Sequence, residues 1–233
     1  MTTRLVKHSK LTKRQMKEDP LVTAAFRGTQ IWEEHGTRIL LALGAVVLIL
    51  LLVFFVSRTR AQAEDRAASD LFRAELSVEQ SDYATAVQML REIVDSAPGT
   101  RAAQQAMMYL GDAYMGQGKP AEAVNWYRRA LSKAGRNKEA KMASLYGLAA
   151  ALEDRGDFIQ AAASYEELAK LGTSDNERGR AMLAQARCLG KAGQSQKAVA
   201  VYKEIQRLPV VDQDILNAAG VGLGELSAST STP

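Results

Sequence analysis

The longest apolar run in the chain predicts one membrane-spanning helix. Residues 39–56, ILLALGAVVLILLLVFFV, hold 18 positions without a charged or polar side chain. A helix of that length rises about 27 Å, close to the roughly 30 Å hydrocarbon core of a bilayer. A cleaved signal peptide has a shorter apolar run, and a shorter segment before it than the 38 residues found here. We therefore expect the span to remain in the mature protein.

A shorter amphipathic pattern precedes this run. Asp19 and Pro20 suit the N-cap and first position of a helix, and Gly36 suits its end. Between them, over residues 20–35, the apolar positions fall within an arc of about 140°. This helix either lies on the membrane surface or on a partner, or it is a plain helical lead-in to the span. The residues that would make such a contact are Leu21, Val22, Phe26 and Trp32.

A repeated pattern fills most of the remaining chain. Residues 57–80 continue a helical pattern out of the span, and four similar segments follow. Each segment opens with a turn-forming residue, at Ser81, Gly118, Gly156 and Gly193. Each has a small residue five places on, at Ala86, Ala123, Ala161 and Ala198, with separations of 37, 38 and 37 positions. Each then has a large apolar residue four places later, at Leu90, Tyr127, Tyr165 and Tyr202.

The spacing of these residues predicts stacked helix hairpins. The small residue lets the two helices of a hairpin approach, and the large residue four places later lies on the same helix face. There it can fill the space between neighbouring hairpins. One hairpin cannot bury its own apolar face, so several must stack.

The repeated segments resemble the tetratricopeptide repeat, a helix-turn-helix unit of 34 residues. Leu110, Gly111 and Tyr114 match the consensus of its first helix, and Pro98 matches its closing proline. The resemblance covers about residues 67–208. It implies an all-α fold in which the transmembrane helix is followed by about four helix hairpins. In this division, residues 81–210 form the repeats, 211–226 a capping helix and 227–233 a disordered tail.

The charge distribution predicts the orientation of the span. Residues 1–38 carry eight lysines and arginines against four acidic residues, whereas residues 57–233 carry 22 of each sign. The positive-inside rule then places this basic tail in the cytoplasm and the repeats in the periplasm of a bacterium, across the inner membrane. Arg58, Arg60 and Arg66, just after the span, argue against this orientation. Because the basic excess is confined to the tail, the high isoelectric point does not indicate nucleic-acid binding.

Candidate catalytic groups are scarce after the span. Both histidines, His8 and His35, precede it, which excludes Ser-His-Asp, Cys-His and histidine-based metal sites from the repeats. Cys188 is the only cysteine, and we expect it to be buried. Glu153 and Asp154 are adjacent, but they fall at the edge of a turn and are expected to face solvent. We therefore predict no enzyme, cofactor, metal site or small-molecule substrate.

The glycines at 220, 222 and 224 only superficially suggest a phosphate loop, because no strand precedes them and their spacing is wrong. They predict a weak capping helix instead.

The family resemblance also implies a groove for a partner protein, lined by fixed positions on the first helix of each repeat. Methionine and tyrosine there suit adaptable apolar contacts. Met108 and Tyr146 could alternatively belong partly to the core. The family's basic clamp for a C-terminal carboxylate is not evident. The matching positions are Glu75, Met108, Asp112, Met115, Tyr146, Glu153, Leu183, Arg187 and Lys191.

The order of parts along the whole chain is similar to that of the ancillary subunit family of the bacterial SecYEG translocon. That resemblance implies a scaffold near the translocon exit that passes client proteins to periplasmic chaperones. The alternative is a stoichiometric accessory subunit of another inner-membrane complex, of the respiratory or photosynthetic type. In that case the span and the helix at residues 20–35 would dock on partner helices.

Overall fold

The computed structural model describes residues 20–230, with side chains from Gly36 onward except at residues 39, 229 and 230. Over this range the chain consists of α-helices and their connections, which confirms the predicted all-α class. The chain divides into two compact units, with the boundary between Thr59 and Arg60. The helices are α1 Pro20–Glu79, α2 Tyr83–Ser96, α3 Arg101–Gly116, α4 Pro120–Lys133, α5 Lys138–Asp154, α6 Phe158–Leu171, α7 Asp175–Lys191, α8 Ser195–Ile205 and α9 Gln213–Thr230.

Helix α1 is longer than the amphipathic pattern predicted. It begins at Pro20, as expected, but it passes through Gly36 and continues to Glu79. A glycine inside a helix costs only about 1 kcal/mol relative to alanine, and the apolar helix formers after Gly36 outweigh that cost. Asp19, the predicted N-cap, and the side chains of Leu21, Val22, Phe26 and Trp32 lie outside the described residues.

The predicted span lies within α1. The best window of 18 residues in this helix has a mean hydropathy of 3.4, and no residue of the window is buried. Large side chains such as Leu41 and Phe55 are exposed. In the described part of the chain, α1 is the one helix long and apolar enough to cross a membrane.

The repeats form a succession of hairpins in which each helix from α2 to α9 packs against the next along the chain. The last part of α1 precedes α2 in the first repeat, and the later hairpins are α3–α4, α5–α6 and α7–α8, with α9 after them. The four small residues at the repeat positions are fully buried, which confirms their predicted role. These residues are Ala86, Ala123, Ala161 and Ala198.

The turn inside each hairpin uses a left-handed residue at the predicted position. Gly118, Gly156 and Gly193 have φ of 69°, 88° and 74°. Ser81 occupies the equivalent place in the first hairpin with φ of 62°, although a side chain disfavours this conformation. At the second turn the amide of Lys119 donates to the carbonyl of Tyr114 at 2.9 Å, which closes the end of α3.

A buried tyrosine joins neighbouring hairpins by packing on glycines. The ring of Tyr127 on α4 lies against Gly111 of α3 and Gly147 of α5. A Cβ at Gly111 would lie 2.5 Å from Cε1 of Tyr127, so no larger residue fits without movement of the ring. Tyr202 packs in the same way on Gly222 of α9. The prediction that the large residues fill the space between neighbouring helices is confirmed for Tyr127 and Tyr202. Leu90 and Tyr165 are buried as well.

The capping helix is also longer than predicted. It runs from Gln213 to Thr230, so residues 227–230 of the expected tail are helical, and residues 231–233 lie outside the described range. The hydroxyl of Ser227 donates to the carbonyl of Gly224 at 2.8 Å. Serine can therefore form a hydrogen bond from its hydroxyl to the backbone of the same helix. This explains why the polar composition of the segment did not end the helix.

We predict that Gly111→Ala destabilises the fold by about 1–3 kcal/mol, because the new methyl group overpacks the buried ring of Tyr127. The matched control is Gly220→Ala on α9, where a Cβ would meet nothing within 4 Å. That change should stabilise by up to about 1 kcal/mol through helix propensity. Urea unfolding of the full chain in mild detergent, followed by circular dichroism, compares the two. A neutral or stabilising Gly111→Ala would contradict the packing described.

Candidate partner-binding groove

The predicted groove positions lie on the first helices of successive hairpins. Glu75 belongs to α1, and Met108, Asp112 and Met115 belong to α3. Tyr146 and Glu153 belong to α5, and Leu183, Arg187 and Lys191 belong to α7. We call these nine the groove residues. They divide into an apolar group and two groups of charged residues. The three groups differ in how deeply their side chains are buried and in which hydrogen bonds they form within the protein.

Tyr146 is the most exposed apolar member of the groove residues. Its exposed fraction is 62%, so the alternative that it belongs to the core is wrong. Met108, Met115 and Leu183 are half-buried and pack against the core, as the alternative for Met108 allowed. Tyr146 thus offers a large aromatic surface between partly buried apolar neighbours.

An apolar depression of about 350 Å³ lies beside Tyr146. Met142 and Ala143, one turn earlier on α5, line it together with Leu168 of α6 and Ala181 of α7. Glu177 and Arg180 of α7 also line it. Sequence reasoning missed these residues, although the spacing of Met142 and Ala143, four and three places before Tyr146, could have indicated a shared helix face.

The acidic groove residues near α3 are held by tyrosines. The hydroxyl of Tyr127 donates to Oδ1 of Asp112 at 2.5 Å. Burial raises the pKa of the Asp112 carboxyl, and the bond from Tyr127 opposes that shift. Burial, with a smaller contribution from a hydrogen bond to Glu75, raises the pKa of Tyr109 to about 12. Asp112 thus already bonds a side chain of the neighbouring helix.

The prediction that Glu153 faces solvent is wrong, since its side chain is only 14% exposed. It accepts hydrogen bonds from Nε and a terminal nitrogen of Arg187, at 3.2 and 2.9 Å. Lys191 Nζ donates to the same carboxylate at 2.8 Å. The reason is positional: α7 presents these two cations one turn apart, opposite the end of α5.

The cations keep the Glu153 carboxylate charged. Burial alone would raise its pKa, but the hydrogen bonds and charges of Arg187 and Lys191 outweigh burial and lower the pKa. Burial, and then the charge of Glu153, raises the pKa of the Cys188 thiol to about 11. Cys188 is buried as predicted, and its thiol stays protonated and unreactive near neutral pH.

The groove residues thus form an exposed apolar centre on α5, beside Glu153, Arg187 and Lys191, which are bonded to one another. This arrangement suits an apolar or aromatic segment of another protein. In the described part of the chain, no cluster of histidine, cysteine, aspartate and glutamate is placed to hold a metal ion.

A family model described as "Tetratricopeptide repeat" matches residues 71–139 and 146–209. No curated protein matches the chain.

Solved structures share the hairpin fold. The TPR-like repeats of a putative kinesin light chain from Podosopora anserina are 17% identical, with a TM-score of 0.54 over 73% of this chain and 99% of that one. BtubC from P. vanneervenii is 18% identical, with a TM-score of 0.54 over 75% and 81%. MamA AMB-1 is 16% identical, with a TM-score of 0.52 over 70% and 84%. At these identities the likeness concerns the fold alone.

We predict that Glu153→Gln destabilises the repeats by about 1–2 kcal/mol near pH 7, since the neutral amide cannot keep all three charge-assisted bonds from Arg187 and Lys191. The control, Glu166→Gln, removes one exposed partner of Lys170 and should cost less than about 0.5 kcal/mol. Because the folded pKa of Glu153 is lowered, its contribution is full above an unfolded pKa of about 4.3 and is lost as pH falls through the folded pKa. Urea unfolding at pH 7 and pH 3 measures both effects. Equal losses in the two variants, or a Glu153→Gln effect that does not shrink at pH 3, would contradict the prediction.

Proposed function

This chain belongs to the tetratricopeptide repeat family, and from that premise we propose that it is a protein-interaction scaffold held in a membrane by one helix. The repeats make the chain a scaffold for other proteins. The proposal adds the location of the scaffold and the surface that binds its partner. We propose no enzymatic activity for the chain.

The apolar surface of α1 supports the membrane anchor. Residues 40–56 expose leucine, valine, isoleucine and phenylalanine on all sides of the helix. Water-soluble proteins rarely leave so large an apolar surface uncovered. The basic residues before the span favour a cytoplasmic N-terminus, which would place the repeats in the periplasm of a bacterium.

Tyr146 is the observation that carries the proposed binding surface. Large aromatic side chains dominate the affinity of many protein interfaces when they enter a pocket on the partner. Tyr146 is exposed beside an apolar depression, and Met142 lies one turn before it on α5. An extended segment or an amphipathic helix of a partner could bury it there.

The partner that we propose is a membrane-embedded protein-translocation complex, with periplasmic chaperones as recipients of its clients. Support comes from the order of parts: a short basic tail, one span and a repeat domain of ordinary size. The alternative is a stoichiometric accessory subunit of another inner-membrane complex. The length of α1, which continues well before and after the apolar run, favours that alternative, because it offers a long surface to partner helices.

We predict that a photo-crosslinking amino acid at position 146 captures a partner in living cells. The control position is Ile159 on α6, whose exposed fraction of 60% is close to that of Tyr146. Tyr146→Ala should also weaken association with the captured partner about tenfold or more, as loss of an aromatic anchor does. Ile159→Ala should leave it unchanged.

The captured proteins separate the two candidate functions. Translocon subunits and several client or chaperone proteins at position 146 would favour the adaptor. One protein in constant ratio, with strong crosslinks also from residues 20–56, would favour the accessory subunit. Equal capture from positions 146 and 159 would refute the groove as the binding surface.

A further inference from the structure

A second cavity, of about 420 Å³, lies outside the groove residues. It is formed by the end of α2, the connection to α3, one side of α3 and the end of α4. Val94, Pro98 and Met107 supply apolar wall. Gln104, Arg129 and Lys133 supply side chains that can donate hydrogen bonds. None of these residues takes part in the function proposed above.

Two cations, Arg129 and Lys133, line this cavity. They are four places apart on α4, where like charges repel each other. In the described part of the chain neither forms an ion pair. The ring of Trp126 lies 4.3 Å from the Arg129 guanidinium. Stacking on the ring positions this arginine but leaves its charge uncompensated.

The one carboxylate in the lining, Asp95, does not neutralise this group. It pairs with no cation in the described part of the chain, and it offsets only one of the two positive charges in the lining.

Gln104 adds a donor that the protein does not use. Its Nε2 is buried and lacks a hydrogen-bond partner within the described residues. Buried amide groups in folded proteins nearly always have a partner, because an unsatisfied one is costly. The dipole of α4 could explain a lysine at its C-terminal end, and Trp126 could explain Arg129. Neither explains an unsatisfied amide on a residue that lines the same cavity.

The first backbone amides of α3 are not available to a ligand in this site. The backbone amides of Arg101 and Ala102 donate to the two carboxylate oxygens of Glu64, at 2.8 and 3.1 Å. The helix end is therefore already capped, and the cavity must act through its side chains.

We propose that this cavity binds a phosphate monoester carried on a partly apolar organic body. A phosphate monoester has a charge of about −1.5 to −2 near pH 7, so one phosphate can pair with both Arg129 and Lys133. Its oxygens accept from an arginine fork and an ammonium at once, and from the Gln104 amide once that side chain turns toward the cavity. The cavity has room for more than the phosphate group, and Val94, Pro98 and Met107 give the attached body an apolar wall.

Trp126 provides the readout for a test on the full chain in nonionic detergent. The chain has two tryptophans, so Trp32→Phe leaves Trp126 as the single tryptophan, whose fluorescence can be excited selectively. We expect n-butyl phosphate to change its fluorescence saturably, and to bind more tightly than inorganic phosphate or pentanoate. Pentanoate has a similar body but one negative charge, and inorganic phosphate lacks the body.

Variants tie the signal to the cavity. Arg129→Gln, Lys133→Gln and Gln104→Leu should each weaken n-butyl phosphate binding, the first about tenfold because a charge-assisted contact is lost. The matched control is Arg128→Gln, which removes the same charge from the adjacent position of α4. Arg128 bonds Gln160 and does not line the cavity, so binding should change less than about twofold. Circular dichroism confirms that each variant is folded. Because the three variants lie on two helices, the test still works if one variant fails to fold.

The proposal is overturned if n-butyl phosphate gives no saturable change, if pentanoate binds as tightly, or if Arg128→Gln weakens binding as much as Arg129→Gln.

Once n-butyl phosphate binds as expected, O-phosphoserine and a phosphoserine peptide identify the source of the phosphate. Tighter binding of the peptide supports a phosphorylated protein as ligand, and equal binding supports a small phosphorylated molecule.

Discussion

The close contact between a tyrosine ring and helix backbone is the constraint on which the repeat domain depends. Tyr127 reaches from the second helix of one hairpin to glycines on two successive first helices, Gly111 and Gly147. The ring can lie this close only because neither position has a side chain. It thereby sets the distance between α3 and α5, and its hydroxyl fixes Asp112 at the same time. Since the groove residues lie on these first helices, their separation follows from this packing.

Residues with a simple local cause were predictable from the sequence. The repeat period placed the buried alanines, and it also placed the turn at Ser81, where no glycine signals a left-handed residue. Features that depend on another helix were not predictable. Glu153 was expected in solvent at a helix end, but α7 brings Arg187 and Lys191 against it. The cavity beside Gln104 needs three helices, which no local pattern identifies.

The repeat domain separates charge from apolar surface in a way that bears on function. Around α5 and α7, Glu153 pairs with Arg187 and Lys191 within the domain. The exposed side chain of Tyr146 is the apolar surface on these two helices that a partner could bury with a gain in free energy. Around α2 and α4 the reverse holds, because Arg91, Arg129 and Lys133 have no acidic partner among the described residues. An apolar partner segment and an anionic ligand would therefore bind to different helices. Both could be bound at once without competing for the same side chains.

The most direct test of a membrane-anchored scaffold is cysteine labelling of the chain in its native membrane. The native Cys188 is buried with a raised pKa, so it should give little background. One variant carries Ser9→Cys before the span and another carries Gln196→Cys on an exposed position of α8. In spheroplasts, an impermeant maleimide should label the second variant at once and the first only after the membrane is opened. Labelling of both variants in sealed spheroplasts would contradict a span between them, and labelling of the first alone would reverse the proposed orientation.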